Sequence, residues 1–545
     1  MNNDSLSLET RGRRLLPNLI DEIASSDPTR IFASIPLSND LQDGFRDIDF
    51  ADFARSINHC AWWIEKNLGR SETFQTLNYV GPQDLRYTIL PFAAIKTGYQ
   101  VLFISPQNST EGHIALLESL QCKILLVSEA LPARAQDILS RRKMRTLAIP
   151  SLQHLLNNDL ISFYPYTKTF EQSRHEPFIV LHTSGSTGTQ KPIILTHGTM
   201  SQHDTFLLPP PPNGQPIALS LYKNARVFIG LGLFHSAAIC FMTLCIYSST
   251  ILVLPPPIPM TPTLANLAHL HGNLIASFLS PAILVPIAKT PEYLVNIRKL
   301  RHLHYGGGPL PREIGNVLKS HTHLSVQFGT TESGFSALQI TDPDDWEYMS
   351  FSPIMGIELR LYTEGLYQLY FVRDTQLALS QGIFATFPDL TEYTTKDLFS
   401  KHPTKAGLWL FEGRSDDIIV CSTGQKIHPM SMEGLVNAHP LVTSAIMCGQ
   451  GRIQVCLLVE VKDTCTPRDE RERDALIEDI WRTVERGNEK EQAHGRITRE
   501  LILLTEEGRP MVRAGKGTVL RGLTEERYRA ELDAVYLRFR DCPLE

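Results

Sequence analysis

The 545-residue sequence lacks the features that mark several classes of protein. Its nine cysteines are scattered, odd in number and without a C-x-x-C pair, so neither a disulfide framework nor a zinc site is predicted. A basic excess is also missing, because 52 Lys and Arg stand against 58 Asp and Glu, which argues against a nucleic-acid-binding role. The N-terminal stretch has no apolar run after a basic start, so no signal peptide is indicated and a cytoplasmic location is expected.

Charged residues are absent from one long stretch, residues 227–288. Residues 227–254 are apolar enough to raise the question of a membrane span. Polar side chains such as His235 and Thr243 interrupt the run, and Pro255–Pro257 follow it without basic flanks. Buried strands and a core helix therefore fit the stretch better, and no membrane association is predicted.

Alternation of short and long apolar segments indicates the fold class. The β-rich runs Val101–Ile104, Ile124–Val127 and Ile251–Leu254 alternate with helical stretches such as Pro91–Thr97 and Ile114–Ser119. This pattern predicts an α/β core of mixed, mainly parallel sheets and helices.

The composition changes after about residue 414, where the chain becomes richer in charge. A short strand is predicted at Ile418–Val420. Further on, five apolar residues fall on one face of a predicted helix: Leu476, Ile477, Ile480, Trp481 and Val484. A second, smaller α+β domain is therefore expected at the C-terminal end.

The sharpest motif is His182–Lys191, which reads HTSGSTGTQK and follows the apolar segment Phe178–Leu181. A strand that ends in hydroxyl and glycine residues offers backbone N–H groups and hydroxyls to anionic oxygens, and Lys191 adds a positive charge. A phosphate-binding loop and a flexible Ser/Gly loop both fit this composition. The motif is not a Walker A loop, because the G-x-x-x-x-G-K-[ST] spacing fails.

Taken with further motifs, the loop resembles that of the adenylate-forming superfamily, which includes acyl- and aryl-CoA ligases, luciferases and adenylation domains of nonribosomal peptide synthetases (NRPS). The family's loop reads T-S-G-[ST]-T-G-x-P-K-G, and here Gln190 and Pro192 depart from it. The other motifs follow in family order: a glycine turn at Tyr305–Leu310, Gln327–Glu332 (Y-G-x-T-E), Tyr393–Asp397 (Y-x-T-G-D, with Lys396 for Gly), Gly413–Glu433 and Arg513–Arg521. Within the superfamily the sequence looks most like fungal NRPS-like proteins and adenylate-forming reductases.

This resemblance implies two domains. Residues 1–413 would form the adenylation core that binds ATP and the acid, and residues 414–545 a small mobile domain with its hinge at Asp416.

An ATP site is implied residue by residue. Phe328 would stack on adenine, Thr331 would hydrogen-bond the α-phosphate, and Asp397 would accept both ribose hydroxyls with support from Arg414. The full implied set is Thr183, Ser184, Gly185, Ser186, Thr187, Gly188, Lys191, His235, Gln327, Phe328, Gly329, Thr331, Asp397, Arg414 and Asp416.

Two further roles concern charge at the reacting phosphate. Glu332 would hold Mg²⁺, since a hard cation takes carboxylate oxygen and bridges phosphates. Lys516 would be catalytic, placed between the acid's carboxylate and the α-phosphate, where negative charge builds in the transition state.

The acid site centres on His235, within Leu231–Ala238. Amino-acid-activating relatives carry an Asp there, which pairs with the substrate ammonium, so the histidine disfavours an α-amino acid. His235 is expected to act near the carboxylate and the nucleotide; a core histidine satisfied by backbone is the alternative. Apolar neighbours including Phe278 predict an apolar pocket, and the implied substrate-binding set is His235, Ser236, Ile239, Gly306, Gly307 and Ser333.

The sequence thus predicts ATP-dependent activation of a non-amino-acid carboxylic acid, an aryl or aryl-keto acid, as acyl-AMP. Transfer to the phosphopantetheine thiol of a carrier domain in secondary metabolism is expected, and no carrier or dinucleotide motif follows Lys516, so an adenylation unit of a longer protein, or one that serves a separate carrier, is favoured. A free-standing acyl- or aryl-CoA ligase is the first alternative, with Arg452, Lys462 and Arg468 as basic residues for CoA. A non-catalytic adenylate-binding protein is the second.

Overall fold

Buried apolar runs build the first sheet of the computed structural model, which describes residues 10–157, 160–184, 190–209, 214–423, 425–489, 491, 495–513 and 518–540. Neighbouring strands are parallel except for the last pair, an antiparallel hairpin. Complete burial of Ile124–Val127 suits a parallel sheet that is covered on both faces. In spatial order the strands are Arg145–Ala148, Ile124–Val127, Thr76–Val80, Gln100–Phe103, Pro177–Ser184 and Gln190–Thr196.

A second sheet has seven strands and the same parallel character, again with one antiparallel pair at its edge. Its strands lie in the order His323–Val326, His302–Tyr305, Ala276–Leu279, Arg226–Ile229, Ile251–Val253, Ile31–Pro36 and Phe45–Asp49.

Helices connect and cover these two sheets. Local signals set their ends: the Asp49 side chain accepts the N–H of Asp52 where Phe50–Leu68 begins, and Gly69 ends that helix at φ 77°. The helices of this part are Leu16–Ser26, Phe50–Leu68, Arg86–Lys96, Thr110–Ser119, Ala133–Arg141, Leu152–Leu155, Phe170–Ser173, His197–Thr205, Ser236–Ser248, Pro262–His271, Pro281–Ala288, Pro291–Ile297, Arg312–Lys319 and Ile383–Thr386.

The uncharged stretch folds as two strands and a core helix, as predicted. Helix Ser236–Ser248 lies between strands Arg226–Ile229 and Ile251–Val253 and is buried from Ala238 onward. A helix that is apolar all round belongs in the interior of a protein. Among the described residues, no helix combines the length and the apolar character that crossing a bilayer requires.

A third sheet is wholly antiparallel and is not indicated by the sequence. Its strands alternate between partly exposed and buried residues, as in Leu366–Val372, which is the pattern of a sheet with one solvent-facing side. In order they are Leu338–Gln339, Tyr348–Phe351, Trp409–Arg414, Glu392–Lys401, Leu366–Val372 and Ile357–Thr363.

The C-terminal part has the predicted α+β character. After the hairpin of Ile419–Val420 and Lys426–Ile427 come the three strands Val442–Cys448, Cys456–Val461 and Ile502–Leu504. The predicted helical face lies on helix Glu470–Asn488, with Trp481 partly buried and the other four residues buried. The remaining helices are Met430–Asn437, Arg521–Arg527 and Arg529–Arg540. The boundary between residues 413 and 414 and the hinge at Asp416 stay predictions.

Candidate active site

The predicted acid- and nucleotide-binding segments lie at one edge of the seven-stranded sheet. His235 comes after strand Arg226–Ile229, Gly306 after His302–Tyr305 and Gln327 after His323–Val326. These strands are parallel, with Ala276–Leu279 between the first two. Ligands of open α/β sheets bind outside the carboxyl ends of parallel strands. The topology therefore brings three motifs, distant in sequence, to a common edge.

Gln83 ties this edge to the first sheet. It follows strand Thr76–Val80, and its Oε1 accepts the N–H of Leu233 at 2.8 Å, two residues before His235. The phosphate-binding segment follows strand Pro177–Ser184 of the same sheet. Sequence reasoning missed Gln83; its only signal is a polar side chain directly after a buried strand.

The two ends of the phosphate-binding segment pair with each other in the hairpin. Thr183 lies opposite Lys191 and Ser184 opposite Gln190. The predicted phosphate-binding residues between them, Gly185, Ser186, Thr187 and Gly188, lie outside the described residues. Lys191 is exposed, and its role stays a prediction.

Gln190, which departs from the family pattern, orients a histidine beside this segment. The N–H of Ser105 donates to His182 Nε2 at 3.1 Å, so the ring proton sits on Nδ1. That nitrogen donates to Gln190 Oε1 at 2.8 Å. The substitution therefore replaces a proline with a side chain that joins the hairpin to the strand end at Ser105.

His235 lies at the start of the buried helix Ser236–Ser248. Its backbone is extended, with φ −86° and ψ 146°, and its carbonyl accepts the N–H of Ile239 at 3.2 Å. The half-buried imidazole packs on Phe234, with ring centroids 4.3 Å apart. Ser236 and Ile239 occupy the first turn of the helix, so the predicted acid-binding residues of this segment share one location.

Aromatic rings line the edge between His235 and the glycine turn. The rings of Phe278 and Phe335 lie 6.0 Å apart. A Cβ at Gly306 would lie 3.2 Å from the Phe278 ring and 2.7 Å from the Gln327 carbonyl oxygen, so only glycine fits there without movement. Gly307 has φ 80°, a left-handed backbone that also favours glycine. The acid side of the site is thus narrow and apolar.

Residues 331–333 form the turn of a short hairpin between Gly329–Thr330 and Gly334–Phe335. Thr331 is buried and Glu332 half-buried at this turn. The Ser333 hydroxyl lies 3.0 Å from Thr330 Oγ1. The hairpin therefore fixes Thr331 and Glu332 beside each other, as the predicted phosphate and Mg²⁺ roles require.

Gln202 anchors this turn from helix His197–Thr205. Its Nε2 donates to the Ser333 carbonyl at 2.6 Å, and its Oε1 accepts the N–H of Gly382 at 3.0 Å. A Cβ at Gly334, whose φ is 70°, would lie 2.8 Å from the same Nε2. Gln202 is a second positioning residue that the sequence does not reveal, because its partners are more than 130 residues away.

Phe328 is held by other aromatic rings. Its ring meets Phe351 and Phe399 edge-on, with centroids 5.9 and 5.6 Å apart. Such edge contacts fix the orientation of the ring. Stacking of Phe328 on adenine stays a prediction.

Asp397 and Arg414 lie directly opposite each other on adjacent antiparallel strands. Their closest charged atoms, Arg414 Nη1 and Asp397 Oδ1, are 3.9 Å apart. Only 5% of Asp397 is exposed, and this burial raises the pKa of its carboxyl to about 6, although Arg414 opposes the shift. Glu332 adds to the rise, so its charge lies near Asp397.

The predicted hinge residue Asp416 also contacts this pair. Arg414 donates to both Asp416 oxygens, at 2.8 and 3.0 Å. Lys396 Nζ lies 3.5 Å from Asp416 Oδ2. Lys396 has φ 65°, so it adopts the left-handed backbone for which glycine, the family's residue there, is suited.

The predicted catalytic Lys516 lies outside the described residues. On either side of it, Arg513 and Val519 pair in an antiparallel bridge. Arg513 in turn binds Glu460, with Nη2 and Oε1 2.8 Å apart. The segment that carries Lys516 is therefore anchored to the C-terminal sheet.

The donors present fit a nucleotide and a hard cation. Asp397 offers a buried carboxylate for hydroxyl donors, and Thr331 and Glu332 offer oxygen ligands close by. Among the described residues no group of three or more His, Cys, Asp or Glu could hold a metal alone. Such a sparse site suits Mg²⁺, which binds through one or two carboxylates together with substrate phosphates and water.

Comparison with family models defines the class of protein. A model described as AMP-binding enzyme matches residues 24–365, and one described as AMP-binding enzyme C-terminal domain matches residues 416–540. The chain therefore belongs to the AMP-binding family of adenylate-forming enzymes, which use ATP to convert a carboxylic acid into acyl-AMP and pyrophosphate. The predicted superfamily is confirmed.

Curated relatives include fungal proteins. The chain is 35% identical over 541 residues to a carboxylic acid reductase of Neurospora crassa, 31% over 533 residues to the isocyanide synthase-NRPS hybrid crmA of Aspergillus fumigatus, and 29% over 529 residues to the adenylate-forming reductase Nps9 of Serpula lacrymans. These matches cover 96%, 96% and 91% of this chain but 51%, 34% and 47% of the relatives. The chain thus spans about half of their length or less.

Solved structures agree on the fold. ATP-bound MatB from Rhodopseudomonas palustris matches with a TM-score of 0.68 and 14% identity, over 95% of this chain and 99% of that one. The o-succinylbenzoate CoA synthetase of Bacillus subtilis in complex with AMP gives 0.68 and 15%, over 93% and 97%. At this identity the likeness establishes the fold alone, and it confirms the predicted large α/β part with a smaller C-terminal part.

Proposed function

We propose that the chain activates an aryl or aryl-keto acid, not an amino acid, as acyl-AMP and passes the acyl group to the phosphopantetheine thiol of a carrier domain. The observation that carries this proposal is His235 at the start of a buried apolar helix, beside aromatic walls. Residues 227–288 contain no Asp or Glu, so they supply no counter-charge for an α-ammonium. An unpaired buried charge costs several kcal/mol, roughly enough to exclude amino acids.

The nucleotide would be held at the other side of the site. Above pH 6 Asp397 is ionised and accepts hydrogen bonds from the ribose hydroxyls, and Arg414 stands opposite to support it. Phe328 would stack on adenine, and Thr331 would donate to the α-phosphate. Mg²⁺ held by Glu332 would offset phosphate charge.

In the proposed reaction a carboxylate oxygen of the acid attacks the α-phosphorus. A new carboxylate–phosphorus bond forms while the bond to the bridging oxygen breaks, and pyrophosphate leaves. Lys516 and His235 would stabilise the charge that develops, and most of the acceleration would come from positioning and electrostatics.

We further propose that residues 414–545 rotate against residues 1–413 about Asp416 between this step and thiol capture. The contacts of Asp416 with Arg414 and Lys396 support this, because they join the proposed hinge to the proposed ribose site. Such hinges are single positions that absorb a large backbone change.

The carrier proposal draws support from relatives named as adenylate-forming reductases and NRPS proteins. A free-standing CoA ligase would need basic residues that are open to the nucleotide of CoA. Arg452 instead forms an ion pair with Asp533, and the Lys462 ammonium donates to the Pro440 carbonyl. Neither arrangement favours the CoA ligase.

Pyrophosphate exchange with a panel of carboxylic acids tests the activation step. We expect exchange with aryl or aryl-keto acids and its loss in Lys516→Ala. A dominant response to amino acids would overturn the argument from His235, and no exchange with any acid would favour a non-catalytic adenylate-binding protein. Comparing acyl transfer to a phosphopantetheinylated carrier with transfer to CoA then tests the acceptor.

A further inference from the structure

A cavity lies against one face of the seven-stranded sheet, next to the proposed acid site. Alternate residues of neighbouring strands point to this face, so His304 and Ser325, which are register partners, both line it. Gln327 continues the row at the carboxyl edge, and Tyr222, Leu338 and Met349 close the cavity from the other side. The cavity is therefore partly polar, unlike the aromatic walls beside it.

His304 is the centre of a buried hydrogen-bond network. Burial lowers the pKa of its imidazole to about 3, so the ring is neutral. Its Nδ1 lies 2.8 Å from the Ser325 hydroxyl and 3.2 Å from Gln327 Nε2, and its Nε2 contacts the Tyr222 hydroxyl. Both ring nitrogens thus have partners, and the amide nitrogen of Gln327 is directed at the ring.

The other end of the same amide is unmatched. Gln327 is 4% exposed, and within the described part of the chain its Oε1 accepts no hydrogen bond. Buried polar atoms in proteins are nearly always paired, so an unpaired acceptor in a cavity wall indicates a ligand that donates.

The position of Gln327 connects it to the acid. Its carbonyl oxygen lies against Gly306, and the Phe278 ring contacts the same glycine and lies 6.5 Å from the His304 ring. Gln327 and His235 follow strands three places apart in the sheet, a span of about 14 Å between backbones. An acid whose carboxylate lies near His235 would therefore direct its far end toward Gln327.

We propose that the acid carries a hydroxyl group at the end remote from its carboxylate, and that this hydroxyl donates to Gln327 Oε1. The inference rests on the proposed function and names its substrate class: hydroxylated aryl or aryl-keto acids. It gives Gln327 a role in acid selection in place of the nucleotide contact that the sequence predicts.

Matched pairs of acids test this in pyrophosphate exchange: 4-hydroxybenzoate against benzoate, and 4-hydroxyphenylpyruvate against phenylpyruvate. Wild type should prefer the hydroxylated member of at least one pair by tenfold or more in kcat/KM, and Gln327→Leu should abolish that preference while the unsubstituted acid is still turned over. Gln339→Leu is the matched control, because Gln339 lines the same cavity but has both amide ends bonded, to Gln215 and Ser350. It should keep the wild-type ratio.

The outcomes separate the two proposals. Exchange without a hydroxyl preference in wild type overturns this inference and leaves the proposed function standing, and this result needs no variant to fold. An unchanged ratio in Gln327→Leu, or an equal loss in Gln339→Leu, also overturns it. No exchange with any acid overturns the proposed function and the inference with it.

Discussion

The acid side and the ribose side of the site are built from opposite materials. Around His235 the chain runs for 62 residues, 227–288, without a formal charge, and aromatic rings form the walls. Around Asp397, by contrast, Arg414, Asp416 and Lys396 lie within 4 Å of one another in a connected group.

This contrast explains why one half of the function is easier to infer than the other. A nucleotide is recognised through charge and hydrogen bonds to a few residue types, which sequence motifs record. An apolar pocket recognises shape, so many sequences fit the same acid and one sequence fits several. Changes on the ribose side should therefore alter ATP use for every acid, whereas changes on the acid side should alter the choice of acid.

The largest effect is expected from Asp397→Asn. Loss of the buried carboxylate removes charge-assisted hydrogen bonds to the ribose, so kcat/KM for ATP should fall by about 100-fold or more. Glu392→Gln, on the same strand but exposed and paired with Arg360, is the control and should keep the wild-type value. Similar losses in both variants would remove Asp397 from the ribose site.

A dependence on pH should follow from the same carboxyl. Because its pKa is about 6, KM for ATP should rise about tenfold per pH unit below 6, and Asp397→Asn should flatten that profile. The stability change has the opposite direction: the folded state binds this proton more tightly than the unfolded state does, so stability is lost as pH rises from about 4 through 6. At pH 8 Asp397→Asn should then unfold about 2 kcal/mol less readily than wild type, as measured by denaturant titration. A less stable variant would contradict the raised pKa.

On the acid side, Gly306→Ala should act on the acid alone. The added methyl would crowd the Phe278 ring and the Gln327 carbonyl, so kcat/KM for the preferred acid should fall about tenfold while KM for ATP stays constant. Gly308→Ala is the control, since its Cβ would meet no atom within 4 Å. A change confined to KM for ATP would show that Gly306 belongs to the nucleotide half.

The smallest effect is expected at Lys396, which holds a left-handed backbone. Lys396→Gly should stabilise the protein by about 0.5–1 kcal/mol, because glycine adopts φ 65° without steric cost. Lys396→Ala separates the two contributions, since it removes the ammonium near Asp416 and keeps the strained backbone. Equal stability of the two variants would mean that the backbone contributes nothing.

Local pattern was enough for the elements and failed for long-range support. The run of apolar residues around Ile124–Val127 predicted a buried strand, and periodicity predicted the helix that buries Ile480. Gln83 and Gln202 could not be found in this way, because each is an isolated polar residue whose partner lies more than 130 residues away. The antiparallel sheet that carries Asp397 was also not foreseen, since its short strands pair across long connections.

By itself the sequence determined the family, the α/β class and the order of the motifs, because these depend on local residue types and spacing. The tertiary structure alone decided which motifs share an edge, that Asp397 faces Arg414, and that Gln327 presents an unpaired amide oxygen to a cavity. Strand order and burial create these relations, since they bring together residues that are far apart in the chain and remove the water that would otherwise satisfy them.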